Sequence, residues 1–444
     1  MVSLHSLYYC SMKKFFTLLL FILSTCFVLA QEGGWSTLSH PGGSRVDDIY
    51  FHGKNIGWTA GGWNLKVHKT TDAGQTWTPL TLTNNQYLRS IEFFDENIGL
   101  CGSVAASNVP QAQRLGSLYR TTDGGNTWTN VAPAIVPRPA GICGLARAST
   151  TTMYGVGVWY GPAFVIKSTD KGATWEYTDM SEYAQSLIDV YFFNEDEGFV
   201  VGSAVGQSSG IVLYTDDGGK TWTEKFSTNQ MTDRIWKIQT PDREHFYGAI
   251  ESFDPETETR MIRSSDRGQT WEMVTVDEDF HNIQAVGFID PLNGWTGGSE
   301  KLFETTDGGD TWEELDLGST YYNRFLKIND GTAYLTGRGV FKFTRDIVTN
   351  IPEGPKVNND IHSLDVSPNP ASEKITIRIN FGNPTMAQVF LYSATGKTIT
   401  RIFSDETVAG ERTFTVDVSG MPAQSLVVAL QTNEGVLIRK VLKK

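Results

Sequence analysis

The 444-residue chain carries 37 Lys and Arg against 50 Asp and Glu, and the imbalance sits between residues 31 and 348, where 25 basic residues face 41 acidic ones. A surface of that sign disfavours nucleic acid and anionic membranes as partners, which need clustered positive charge, and leaves cationic or uncharged partners open, glycans among them. Of four cysteines two lie in the first 30 residues; an oxidising destination permits Cys101 and Cys143 to bridge, and strand positions also suit them as buried free thiols.

Lys13-Lys14, the apolar stretch from Phe15 to Leu29 and the small-residue pair Val28 and Ala30 before Gln31 predict a secretory signal peptide over residues 1–30, with Met12 an alternative start. The stretch is too short to span a bilayer. Leu23-Ser24-Thr25-Cys26 loosely resembles a lipoprotein box, but its Thr stands where a smaller residue is usual, so cleavage after Ala30 is expected.

From Gly33 onward one phrase recurs six times: Ser or Thr, then Asp, Gly and Thr-Trp, centred on Asp72, Asp123, Asp170, Asp217, Asp266 and Asp307. The aspartates are 51, 47, 47, 49 and 41 residues apart, the period of a four-stranded propeller blade. Asp accepts nearby backbone N–H groups, Gly supplies a positive φ, and Trp buries area at the start of the outgoing strand. Before each phrase run a Phe-rich segment, an acidic or Asn-rich turn and a Gly-aromatic segment, as in Ile49-Tyr50-Phe51 leading to Gly57-Trp58. Each unit therefore reads as strands A, B, C and D, with the phrase between C and D.

These phrases resemble the Asp-box, or bacterial neuraminidase repeat, of sialidases, some glucanases and sortilin-like receptors, which implies an architectural role for the six aspartates. Combined with the Phe-rich and Gly-aromatic strands, the pattern over about residues 33–346 resembles the repeats of the photosystem II assembly and stability factor. That resemblance implies the propeller fold and a role in protein binding or assembly. After Trp312 the chain offers three more strands without a box, and Gly33-Gly34-Trp35 looks like a D strand without its partners. The expected fold is all-β, a seven-bladed β-propeller over 31–346 whose closing blade joins both ends and leaves no exposed edge.

Residues 347–363, with Pro352, Gly354, Pro355 and a run of Asn and Asp, read as a linker. About seven short strands follow in residues 364–444, including Lys374–Ile379, Gln388–Tyr392, Lys397–Phe403 and Arg412–Val418, as a small immunoglobulin-like β-sandwich would require. Pro368-Asn369-Pro370-Ala371-Ser372, the turn Ser393-Ala394-Thr395-Gly396-Lys397 and the basic end Arg439-Lys440 to Lys443-Lys444 resemble the type A sorting domain of the type IX secretion system, although Gln424-Ser425-Leu426 replaces the usual Gly-x-Tyr. The resemblance implies export to the cell surface or medium, with the type IX machinery as a partner.

No chemistry declares itself. A sialidase needs an arginine cluster, a Tyr-Glu pair and an early Arg-Ile-Pro motif, and only Val136-Pro137-Arg138-Pro139 comes near, in the wrong place. No metal-ligand spacing, nucleophile elbow or phosphate loop appears, so no catalytic residue, metal or cofactor is expected. The expected function is that of a non-catalytic binding or assembly scaffold, with a glycan-active hydrolase as the alternative. Ligand-binding loops of such a fold are its B–C and D–A connections. The largest is Ser103–Ser117, beside the Pro-rich Ala132–Ala140, and the expected contact residues are Trp159, Tyr160 and Arg114. In the bland alternative Trp159 and Tyr160 only pack.

Overall fold

The computed structural model describes residues 33–345 and 361–444, apart from 43–44, 63–65, 83–85, 106–109, 111–112, 114, 208, 394–397, 423 and 433–434. The expected signal peptide and nearly all of the expected linker lie outside the described residues, as does Arg114. The chain divides into two compact units, one of them Gly33–Ile347, the other holding Val348–Lys444.

Among the described residues Gly33–Ile347 contains seven four-stranded antiparallel sheets. Six run in simple A-B-C-D order; in the seventh, Gly34–Thr37 pairs with Val340–Thr344, behind Thr332–Gly337 and Tyr322–Asn329. The strands A are Val46–His52, Tyr87–Phe93, Gly144–Arg147, Ser186–Phe192, Arg234–Gln239, Ile283–Phe288 and Tyr322–Asn329. Each touches the strand A of the sheets before and after it, and the last touches the first, so the seven enclose a common centre.

The Phe and Gly-aromatic segments explain how neighbouring sheets adhere. Phe51, Phe93, Phe192 and Phe288 end their strands A over the first glycine of strand B; a Cβ on Gly57, Gly99, Gly198 or Gly294 would lie 2.3–2.7 Å from ring atoms. On its other side each ring stacks on an aromatic residue of the adjacent sheet's strand B. Centroids are 3.8 Å apart for Trp58 and Phe93, 3.6 Å for Tyr154 and Phe192, and 3.4 Å for Tyr247 and Phe288. The repeat thus couples a turn requirement to inter-sheet packing.

In the Asp170 box, Ser168 Oγ donates to Asp170 Oδ1 (2.8 Å) and accepts the buried Gly172 N–H (2.8 Å). Asp170 also accepts the Ala173 and Thr174 N–H groups at 3.0 and 2.9 Å and the Thr174 hydroxyl at 2.6 Å. The same bonds from Thr to Asp recur in the other five boxes. The residue after each Asp also has positive φ; non-glycine residues occupy it at Ala73, Lys171 and Arg267, the latter two ion-paired to Asp95 and Glu197. Burial alone would raise the Asp307 carboxyl, but hydrogen bonds from Thr311 and Thr305 outweigh it and hold the pKa at about 2. A depressed folded pKa stabilises above the unfolded value near 4 and loses that contribution as pH falls toward 2. Asp170→Ala is expected to cost about 1–2 kcal/mol at pH 7. The loss, read by urea denaturation, should shrink at pH 2.5; a loss equal at both pH values would mean the carboxylate's hydrogen bonds are not its source.

In the second unit five strands form one sheet: Ile361–Ser367, Lys374–Ser393, Thr398–Asp417, Gln424–Thr432 and Gly435–Lys443. Sequence pattern divides this region more finely, because Lys374–Ser393 and Thr398–Asp417 each contain two of the expected short strands. The halves pair separately: Thr376–Phe381 pairs with Ile361–Ser367, whereas Ala387–Ser393 pairs with Leu426–Thr432. Register shifts between Phe381 and Thr385 mark the break, and Ile375, Ile377, Val389, Leu391, Leu426 and Val428 share one core.

Candidate functional site

Strand A carries a register shift in six of the seven sheets, each adding one residue: Asp47, Arg89, Ile188, Trp236, Gln284 and Asn323. A bulge breaks the two-residue alternation and aims an extra side chain toward the enclosed centre. Arg89, Trp236 and Gln284 line a cavity of about 340 Å³ together with Arg45, Arg234, Glu251, Trp159 and Phe253. Every one of these lies at the start of a strand A or the end of a strand B, so the cavity opens among the B–C and D–A connections.

Asp47, wholly buried, lies beneath the cavity and accepts from Arg45 Nη2 (2.6 Å) and Arg89 Nη1 (2.5 Å). Burial opposes the charge on Arg89, but the Asp47 carboxylate outweighs it and raises its pKa. Arg89 is 3% exposed and stacks over Trp236 at 4.9 Å, yet its Nε and Nη2 have no acceptor among the described residues. Arg45 Nε, Trp236 Nε1 and Glu251 Oε2 likewise have no partner there. Arg45 lies over Tyr321 (4.6 Å), and Arg234 over Phe253 (4.6 Å) and Trp159 (5.9 Å). Gln284 receives Arg45 Nη1 at 3.4 Å and donates to Glu251 Oε1. Burial pushes the Glu251 pKa up and weakens its claim to charge. Three guanidiniums therefore gather about two buried carboxyl groups, Asp47 beneath them and Glu251, so basic groups outnumber acidic ones at this spot within an acidic unit.

Below the cavity, Arg324 joins Asp48 (Nε–Oδ1 3.1 Å) to Asp189 (Nη1–Oδ2 2.9 Å), and Lys237 approaches Asp189 at 3.6 Å. Asp48 also accepts the Ile91 N–H (2.9 Å) and Asp189 the Ile238 N–H (3.1 Å), so each carboxylate fastens its own sheet to the next.

Trp159 is thus a wall of the cavity. Tyr160 packs edge-on to Trp159 at 5.0 Å and donates its hydroxyl to Ala140 O at 3.2 Å; it is not among the lining residues. Cys101 and Cys143 are buried free thiols, Cys143 beside the Arg89 guanidinium. The six Asp-box aspartates sit in the C–D turns, at the opposite ends of the strands from the cavity. Sequence reasoning missed Arg45, Arg89, Arg234, Trp236 and Glu251. The signal available was a charged residue interrupting an apolar strand A, as in Leu88-Arg89-Ser90-Ile91. Among the described residues no group of His, Cys, Asp and Glu could hold a metal ion, and no helix is long and apolar enough to cross a membrane.

The family described as the secretion system C-terminal sorting domain matches residues 365–444, and the BNR/Asp-box repeat matches residues 213–224. The chain is 24% identical over 185 residues to the photosystem II assembly lipoprotein Ycf48 of Synechococcus sp. (strain CC9902), an alignment covering 39% of this chain and 50% of that relative. A 51-residue stretch is 43% identical to the Ycf48 lipoprotein of Synechocystis sp., covering 11% of this chain and 15% of the relative. The chain thus spans half or less of the length of these curated relatives. Among solved structures, YCF48 bound to D1 peptide aligns with a TM-score of 0.52 at 17% identity, over 70% of this chain and 94% of the other. YCF48 from Cyanidioschyzon merolae gives 0.52 at 18%, over 70% and 98%. The Niastella koreensis GH74 enzyme gives 0.50 at 14%, over 92% and 74%. These likenesses show the fold alone, an all-β unit with propeller neighbours. The chain joins an Asp-box repeat unit that has Ycf48-like homologues to a type IX sorting tail, which indicates export and a secreted or cell-surface location.

Proposed function

We propose that the chain is an exported, non-catalytic binding protein: a seven-bladed β-propeller closed by the strand at Trp35, whose cavity takes an anionic group of its partner. The cyclic contact order of the strands A supports the seven blades, and the shared core of the two half-strand sets supports an immunoglobulin-like sandwich for the tail. Residues 1–30 act as the export signal, 347–363 as the linker, and the six Asp-box aspartates as turn supports. Trp159 forms a wall of the binding site and Tyr160 buttresses it. One observation carries the reading: a buried arginine, Arg89, has no acceptor for Nε or Nη2 among the described residues, at the wall of an aromatic cavity that two further arginines share. A buried donor left unpaired costs free energy that a carboxylate would recover, and a guanidinium fork fits a carboxylate in two-point fashion. Peptide recognition is favoured because YCF48 has been solved with a peptide bound.

The hydrolase reading has one point in its favour, a cavity carboxyl, Glu251, whose burial weakens its acidity as a general acid requires. Glycoside hydrolysis asks for a second, facing carboxylate. Asp47, beneath the cavity, is held by two arginines.

The test is titration of the full chain with N-acetylglutamate amide and with its uncharged glutamine counterpart, read by Trp fluorescence. The glutamate probe should bind and the glutamine probe should not. Arg234→Gln should weaken binding about ten-fold, the worth of one charge-assisted hydrogen bond, measured under conditions where unfolding shows the variant fully folded. Equal behaviour of the two probes would sink the anionic site. Release of reducing ends from a polysaccharide, abolished in Glu251→Gln, would replace binding by hydrolysis.

A further inference from the structure

Six of the eight large apolar side chains that Gly33–Ile347 exposes among the described residues lie on the B–C and D–A connections: Leu115, Val136, Tyr183, Val205, Met231 and Phe253. Val136 is 84% and Met231 75% exposed. The A–B and C–D turns at the other ends of the strands carry one, Leu292. These six residues belong to the second through fifth sheets, consecutive around the centre, and Phe253 is also a wall of the arginine cavity. Apolar side chains scattered singly over a surface need no explanation, but their segregation on one face beside a cationic cavity does.

We infer that this arc is a docking surface for an extended polypeptide that places a carboxylate among Arg45, Arg89 and Arg234 and runs apolar side chains along the connections of the second to fifth sheets. The inference rests on the proposed anionic site and adds the chemistry of what flanks the anion. Charge complementarity selects the anchor: in a unit with 25 basic against 40 acidic residues, the cavity is a local concentration of guanidiniums, so an acidic group is steered to it and repelled elsewhere. The flank selects the class of partner. Four of the six, Leu115, Val136, Val205 and Met231, offer no flat ring for a sugar to stack on and match aliphatic side chains of a polypeptide, whereas only Tyr183 and Phe253 carry rings. An anionic bilayer is opposed by the unit's net negative charge.

The experiment uses the full chain and three probes: N-acetylglutamate amide, a ten-residue peptide with one Glu followed by three Leu at alternate positions, and the same peptide with Ser for Leu. The Leu peptide is expected to bind at least ten-fold more tightly than the Ser peptide. In the double variant Val136→Ser with Met231→Ser, both exposed and outside the cavity, that advantage should fall several-fold while N-acetylglutamate amide binds as before. If the small anion binds but Leu and Ser peptides bind alike, the docking arc is overturned and the anionic site stands. If no probe binds, both are overturned. Adsorption to phosphatidylcholine vesicles that is lost in the double variant would assign the arc to lipid and overturn the polypeptide.

Discussion

Deletion of residues 33–40 is expected to lower the stability of the Gly33–Ile347 unit by several kcal/mol, more than nearly any single substitution in it. The segment is short, but its strand pairing leads to residues 341–344, some 300 positions away. Gly34–Thr37 pairs residue for residue with Thr344–Phe341, and Leu38 donates its N–H to Val340 O at 2.8 Å. Trp35 meets Trp295 edge-on at 5.0 Å and Phe343 at 5.4 Å, so it joins the sixth sheet to the seventh. Leu38 packs beside Phe51 and Tyr334, joining the seventh to the first. Loss of the strand uncovers Phe341 and Phe343 and leaves Val340–Thr344 as an open edge, which also invites association between chains. Trp35→Ala alone should cost about 2–4 kcal/mol, somewhat below the usual figure for a fully buried Trp because Trp35 is only half-buried. Urea denaturation of both variants beside the parent checks this, and an unchanged midpoint for the deletion would refute closure by the N-terminal strand.

The sequence made this architecture legible because its determinants are local. Asp, Gly and Trp of each box act within a few residues of one another, and the Phe of strand A and the Gly of strand B are six residues apart, as in Phe93 and Gly99. The cavity was legible only in part. Trp159 could be singled out as an aromatic residue in a B–C connection, but Arg89, Trp236 and Gln284 reach the centre through bulges, which shift the inward-facing parity by one residue and leave no mark in the sequence pattern. Composition could not reveal the cavity's charge either. The total is acidic, whereas Arg45, Arg89 and Arg234, distant in sequence, converge on one spot. Net charge averages over a surface, and recognition depends on a few square nanometres of it.

Arg324→Met is the point substitution with the largest expected effect, about 3–5 kcal/mol at pH 7, the range for stranding buried charge by removing one partner. Arg324 extends from the seventh sheet to Asp48 in the first and Asp189 in the fourth, carboxylates 4% and 1% exposed. Lys237 remains within 3.6 Å of Asp189, but nothing else with positive charge forms an ion pair with Asp48 among the described residues. Burial already pushes the Asp48 pKa up, with Arg324 the foremost group opposing that shift, so its removal raises the pKa further. The sign of the pH dependence follows. An acid whose folded pKa lies above its unfolded value is best tolerated protonated, and stability is lost as pH rises through the folded pKa. The deficit of Arg324→Met relative to the parent should therefore be greatest at pH 7–8 and shrink toward pH 5. Asp48→Asn added to Arg324→Met should recover part of the loss at pH 7, although the Asn amide can accept the Ile91 N–H only through its single oxygen. A deficit independent of pH, with no recovery in the double variant, would assign the cost to lost packing of the arginine stem and not to the stranded carboxylates.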